Sequence, residues 1–206
     1  KKIDFTDVNP LSKKNISNIN KHILKVIKKK NFILGDEVNE FEKSFCKISK
    51  SKFSVSCGSG TDALILTLMS LNLNSQDEII VPGLTYISTG LSVILNNNKL
   101  VLADIDNNTG LIDINNIKKK ITKKTKAIIP VNLYGQKVNL KELRRVVGKK
   151  IFIIEDSAQS HLAFNENDKK ITANKFADAS CYSFYPAKNL GAYGDGGLIT
   201  VNKKSQ

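Results

Sequence analysis

One lysine, one aspartate and one run of small residues mark where this chain could do chemistry. Lys188 stands in Ser183-Phe184-Tyr185-Pro186-Ala187-Lys188-Asn189-Leu190-Gly191, and Tyr193-Gly194-Asp195-Gly196-Gly197 follows closely. It is one of 30 lysines, so a surface role is the default, but aromatics before it and glycine-rich chain after it set it apart. A lysine amine held in a partly dry pocket loses its proton readily and can form a Schiff base. Asp156, in Glu155-Asp156-Ser157-Ala158-Gln159-Ser160-His161, comes just after the apolar run Ile151-Phe152-Ile153-Ile154. A carboxylate at the carboxyl end of a strand can face a cationic ligand, or simply cap the next turn. Gly58-Ser59-Gly60-Thr61-Asp62-Ala63 links a short strand to a helix, where free N–H groups suit a phosphate.

These three features together suggest pyridoxal phosphate (PLP). Its phosphate needs backbone donors, its pyridine nitrogen needs a carboxylate, and its aldehyde needs a lysine amine. The Gly58–Ala63 segment also fits G-x-G-x-x-A, a dinucleotide fingerprint. That reading needs an acid at the end of the next strand, whereas Asp77 and Glu78 precede it and Pro82-Gly83 follows it. A phosphate cup is preferred to NAD binding, and a plain tight turn is the other alternative.

The elements that must position these residues alternate. Residues 13–30 and 36–49 read as amphipathic helices, the second with Val38, Phe41, Phe45 and Ile48 on one face. Phe53–Cys57 reads as a strand, and 61–71 as a helix so apolar that it should be buried nearly all round. Apolar runs at 79–81, 100–102, 127–129 and 151–154 read as buried strands, with helices at 86–96, 113–120 and 139–148 between them. This order predicts a three-layer α/β/α domain with a mostly parallel mixed sheet and ligands at the strands' carboxyl ends.

Composition excludes other classes. The net charge is +13, yet Arg144 and Arg145 are the only arginines and the lysine runs are scattered. With 24 Ile and 22 Asn, the pattern fits A/T-rich codon usage better than a nucleic-acid surface. No apolar run reaches ~18 residues, so no membrane span is expected, and Lys1–Asp7 lacks a signal-peptide core. Cys46, Cys57 and Cys181 are widely spaced and only two histidines are present. The expectation is a cytoplasmic protein with no metal.

The chain resembles the nucleotide-sugar aminotransferases of the DegT/DnrJ/StrS group, fold-type I PLP enzymes with an aspartate aminotransferase-like large domain. The resemblance runs from about Asp4 to Val201. It rests on Phe32-Ile33-Leu34-Gly35, Ser59-Gly60-Thr61-Asp62-Ala63-Leu64, Val81-Pro82 with Thr85-Tyr86, and Leu133-Tyr134-Gly135-Gln136. It continues through Glu155–Gln159 and from Ser183-Phe184 past Lys188 to Gly197. It implies that Lys188 is the Schiff-base lysine and proton carrier, and that Asp156 pairs with the pyridine nitrogen. By the same resemblance, Gln159 reaches the phenolic oxygen, Gly60, Thr61 and Ser183 hold the phosphate, and Tyr86 stacks on the ring. Asn132 stands where the family often has His, and Ser157 where it has Ala. His161 reads as a positional residue rather than a base, since Lys188 already moves the proton.

The implied activity is transfer of an amino group, from glutamate, to a nucleotide-linked keto-sugar at C-3, within amino sugar and polysaccharide biosynthesis by a homodimer. Alternatives are a 4-keto-sugar aminotransferase, a sugar dehydratase of the same fold (in which the resemblance implies His at the lysine position), an NAD-dependent oxidoreductase and a non-catalytic regulatory module. Residues 1–206 are expected to be the PLP-binding large domain, with the family's small C-terminal domain absent from this chain.

Overall fold

A computed structural model of the chain describes residues 13–163 and 175–202. Lys1–Asp7 and the start of the resemblance at Asp4 lie outside the described residues. Seven strands form one sheet: β1 (Phe53–Cys57), β2 (Glu78–Pro82), β3 (Lys99–Ala103), β4 (Thr125–Ile128), β5 (Phe152–Asp156), β6 (Ala179–Ser183) and β7 (Gly197–Val201). Their order is β1-β7-β6-β5-β4-β2-β3. All pairings are parallel except that β7 runs antiparallel to both β1 and β6. Six strands therefore end at one edge of the sheet, and β7 begins there.

The helices are α1 (Lys13–Lys29), α2 (Asp36–Ser49), α3 (Gly60–Met69), α4 (Ile87–Leu95), α5 (Ile114–Lys120) and α6 (Leu140–Val147). Successive strand residues point to opposite faces, and the core separates accordingly. Ile79, Val81, Ala127, Ile129, Ile154 and Cys181 pack with Ala63, Leu64 and Leu68 of α3 and Val93 of α4. Ile80, Ile128 and Ile153 pack on the other face with Ile117 of α5 and Leu140, Leu143 and Val147 of α6. On that second face, Phe45 of α2 meets Tyr182, Phe184 and Leu198. The expected three-layer architecture is present.

Two expectations need correction. α3 is not buried all round: Leu66 and Met69 are 43% and 59% exposed, because the sheet and α4 cover only one side of it. The strand β6 was not anticipated. Its sequence Ala-Ser-Cys-Tyr-Ser carries little hydrophobic signal, yet all five residues are buried between β5 and β7. α1 forms as expected, with Ile23, Leu24 and Ile27 exposed. No helix among the described residues is long and apolar enough to cross a membrane.

Candidate active site

The edge where the parallel strands end holds a cavity of about 470 Å³. Gly60, Thr61, Tyr86, Asp156, Gln159, Ser183 and Lys188 all line it. They come from the turn after β1, the turn after β2, the end of β5, the end of β6 and the segment beyond, so the topology gathers them across more than 120 residues of chain.

The wall formed by Gly60, Thr61 and Ser183 is closely packed. Ser59 caps α3: its Oγ accepts from Asp62 N at 3.1 Å and donates to Asp62 Oδ2 at 2.9 Å. The amides of Gly60 and Thr61, in the first turn, have no acceptor among the described residues, as helix N-termini require. A Cβ built on Gly60 would stand 2.6 Å from Ser183 Cβ, and one on Gly197 would stand 2.0 Å from Ser59 O. Only glycine lets α3, β6 and β7 close so tightly. The Thr61 hydroxyl donates to Ser88 Oγ at 2.8 Å, which leaves its amide as the free donor. His161 Nε2 lies 2.7 Å from the Ser183 carbonyl oxygen. A carbonyl only accepts, so Nε2 carries the proton. Burial, together with the nearby Lys188 charge, pushes the His161 imidazole below its usual range.

Asp156 ends β5 with its carboxylate buried. Oδ2 accepts from Thr89 Oγ1 at 3.0 Å and Oδ1 from Ala158 N at 3.1 Å. Burial raises its pKa; the Ala158 amide, the Thr89 hydroxyl and the Lys188 charge oppose that, and Glu155 adds to it. Gln159 Oε1 accepts from the Tyr134 amide at 2.7 Å. That amide can only donate, so the Gln159 carboxamide is fixed with its oxygen occupied and its Nε2 hydrogens free to donate. Tyr134 holds φ 54° in the left-handed region to make this contact, and its own ring is exposed. Tyr86, the residue before α4, is also exposed at the rim. Lys188 sits in a turn closed by its amide on Tyr185 O at 2.8 Å, and it supplies the only lysine of the cavity lining among the described residues.

Ser59, Thr85, Ala158 and Asp195, which stood in the sequence motifs without an assigned role, also line the cavity, as do Ser88 and Thr89, which the sequence did not single out. The spacing of Thr85, Ser88 and Thr89, at i, i+3 and i+4 just past a buried strand, was the available signal. Asn132 is fully buried away from solvent. Its Nδ2 donates to Glu155 Oε1 at 2.8 Å and to Ser157 Oγ at 3.2 Å, and its Oδ1 accepts from Val138 N at 2.9 Å. Both departures from the family pattern thus meet in one hydrogen-bonded cluster. No group of metal-ligating side chains occurs among the described residues.

The donor set fits pyridoxal phosphate. Two orphan amides and the Ser183 hydroxyl suit a phosphate, a buried carboxylate suits a ring N–H, and one lysine shares the space.

Comparison with known proteins agrees. The UDP-2-acetamido-2-deoxy-3-oxo-D-glucuronate aminotransferase of Pseudomonas aeruginosa is 38% identical over 97% of this chain and 55% of its own length. The dTDP-3-amino-3,6-dideoxy-alpha-D-galactopyranose transaminase of Aneurinibacillus thermoaerophilus is 38% identical over 97% of this chain and 54% of its own. The crystal structure of NtdA from Bacillus subtilis with bound cofactor PMP superposes with a TM-score of 0.90 at 29% identity, over 98% of this chain and 46% of that one. The chain spans about half the length of the curated relatives it matches. The profile of the DegT/DnrJ/EryC1/StrS aminotransferase family matches residues 13–206, and the chain belongs to that family.

Proposed function

We propose that this chain is the cofactor-binding large domain of a cytoplasmic, homodimeric PLP-dependent aminotransferase. The proposed reaction moves an amino group, from glutamate, to C-3 of a keto-sugar on a nucleoside diphosphate. The observation that carries the reading is that Lys188, Asp156 and the Gly60–Thr61–Ser183 cup share one cavity. The family is PLP-dependent. The C-3 assignment is supported by the two relatives above, named for a 3-oxo and a 3-amino sugar.

When bound, PLP supplies an aldehyde for amines and a protonated ring that draws electrons from the adjoining carbon. The chain's own residues supply the rest. The amides of Gly60 and Thr61 and the Ser183 hydroxyl would hold the phosphate. Asp156 would keep a proton on the ring nitrogen, Gln159 Nε2 would donate to the phenolic oxygen, and Tyr86 would pack on the ring face. Lys188 Nζ would anchor the aldehyde and then carry a proton to and from the carbon being aminated. These placements fix how a substrate carbon is presented to Nζ, and that orientation decides which ketone reacts.

The test uses the full-length protein with PLP, glutamate and matched 3-keto and 4-keto nucleotide sugars, with the amino sugar identified by NMR. Product from the 3-keto sugar is expected, and Lys188→Ala should abolish both turnover and borohydride-trapped cofactor. Product from the 4-keto sugar alone would overturn the regiochemistry. Trapped cofactor in Lys188→Ala would overturn the role of Lys188.

A further inference from the structure

Thr89 is the third residue of α4 and has no exposed surface. A buried threonine in a helix ordinarily returns its hydroxyl to the carbonyl four residues back. Thr67 on α3 does this, donating to Ala63 O at 2.7 Å. Thr89 instead donates to Asp156 Oδ2 at 3.0 Å, across the gap between α4 and β5. The second contact of its oxygen is Thr85 Oγ1 at 2.8 Å. A hydroxyl has one proton. With the carboxylate ionised, that of Thr89 goes to Asp156, so Thr85 must donate to Thr89. The chain of donation therefore runs one way, from Thr85 at the cavity wall through Thr89 to Asp156.

We propose that Thr89, backed by Thr85, is the positioning residue for Asp156: a two-hydroxyl relay that fixes Oδ2 and holds the carboxylate charge in a buried place. With Oδ1 accepting from the Ala158 amide, both carboxylate oxygens are held in place where Asp156 lines the cavity. The proposal rests on the cofactor reading above for its use, since a charged Asp156 is what keeps a proton on a pyridine nitrogen rather than taking it. The other ionisable groups around Asp156 are Lys188 beyond β6, Glu155 on its own strand, and Cys181, its register partner on β6. None of these donates a hydrogen bond to the carboxylate among the described residues, so the relay and one amide carry that task. Valine would fill the same space without the hydroxyl, which makes the role separable from packing.

The experiment titrates the side-chain ¹³C carboxyl signal of Asp156 in the full-length, cofactor-free protein, with Asp156→Asn to assign it. Loss of one charge-assisted hydrogen bond in Thr89→Val should move the midpoint up by about one pH unit. Thr89→Ser should restore it, and Thr85→Val should produce a smaller rise. In the PLP-loaded protein, the ¹⁵N signal of labelled cofactor in Thr89→Val should shift toward that in Asp156→Asn, with cofactor still bound. An unmoved midpoint in Thr89→Val overturns the proposal; if that variant does not fold, an unmoved midpoint in Thr85→Val does so. Should the midpoint shift while the parent protein takes up no PLP, the relay stands and the cofactor reading falls. Should PLP bind normally while the midpoint stays, the relay alone falls.

Discussion

Glu155 and Asp156 are neighbours on β5, both buried and both acidic, and they differ in nearly every other respect. Glu155 points to the face that carries α5 and α6. There it accepts from Lys137 Nζ, from Asn132 Nδ2 at 2.8 Å and from Ser180 Oγ at 2.5 Å. Burial alone would raise its pKa, but the Lys137 ammonium and these hydrogen bonds win and hold it below the ordinary carboxylate range. Asp156 points to the face of α3 and α4, has two donors, and has its pKa raised by burial. One carboxylate is saturated and closed off, whereas the other is held at two points and borders a cavity. In a buried site, unfilled hydrogen-bonding capacity marks the group available for a ligand, and a filled set marks the group that ties chain together.

The comparison can be broken from either side. The largest effect is expected on the saturated side. Lys137→Met leaves Glu155 charged and buried without its partner, which should cost about 3 kcal/mol of stability in urea unfolding. Adding Glu155→Gln should recover most of that. A single-variant loss under about 1 kcal/mol would mean that the ion pair does not hold the 131–138 segment to β5.

Asp156→Asn should act on turnover instead, lowering it by about 10²-fold while the protein still binds PLP through the cup, as for other groups that stabilise developing charge. Near-normal turnover would remove Asp156 from the chemistry.

The smallest effect sharpens the contrast most, because its sign differs. The folded pKa of Glu155 is depressed. Its contribution is present above the unfolded value of about 4.3 and lost as pH falls through the folded pKa. The folded pKa of Asp156 is raised. Its contribution is full below the unfolded value of about 3.9 and lost as pH rises through the folded pKa. Melting temperatures of the cofactor-free protein from acid to neutral pH should therefore show Glu155→Gln flattening the acid decline. Asp156→Asn should remove a loss that grows toward neutral pH. Shifts of the same sign in both variants would contradict the assignment.

Much of this was legible in the sequence. The strands β2 and β5 read as bare apolar runs because both of their faces are covered, and Asp156 stood out by following one. The cup was legible as a candidate because glycine, serine and threonine between a strand and a helix suit a phosphate, although a dinucleotide site and a tight turn fitted the same residues. Three things were hidden. Thr89 lies inside an apolar helix, where a hydroxyl gives no sign that it serves another element. Glu155 read as a mere flank of Asp156, because the donors that saturate it come from Asn132, Lys137 and Ser180, far along the chain. β6 was hidden because Ala-Ser-Cys-Tyr-Ser carries no apolar run, although α3 packs on its Cys181 and α2 on its Tyr182.

The position of β7 sets the order in which the protein can be completed during synthesis. Phe53 pairs with Val201, and among the described residues β7 is the only strand that joins β1 to the rest of the sheet. At about 5–20 residues per second, β1 waits on the order of ten seconds after leaving the ribosome before its partner exists. For most of that interval Gly60, at the start of α3, has no Ser183 to close against. Until Ser183 has been made the proposed phosphate cup is incomplete, and on that reading a cofactor that needs the cup could not assist the earliest folding. On the proposed reading, any rescue that cofactor offers a weakened variant comes after Ser183 and β7 have been made.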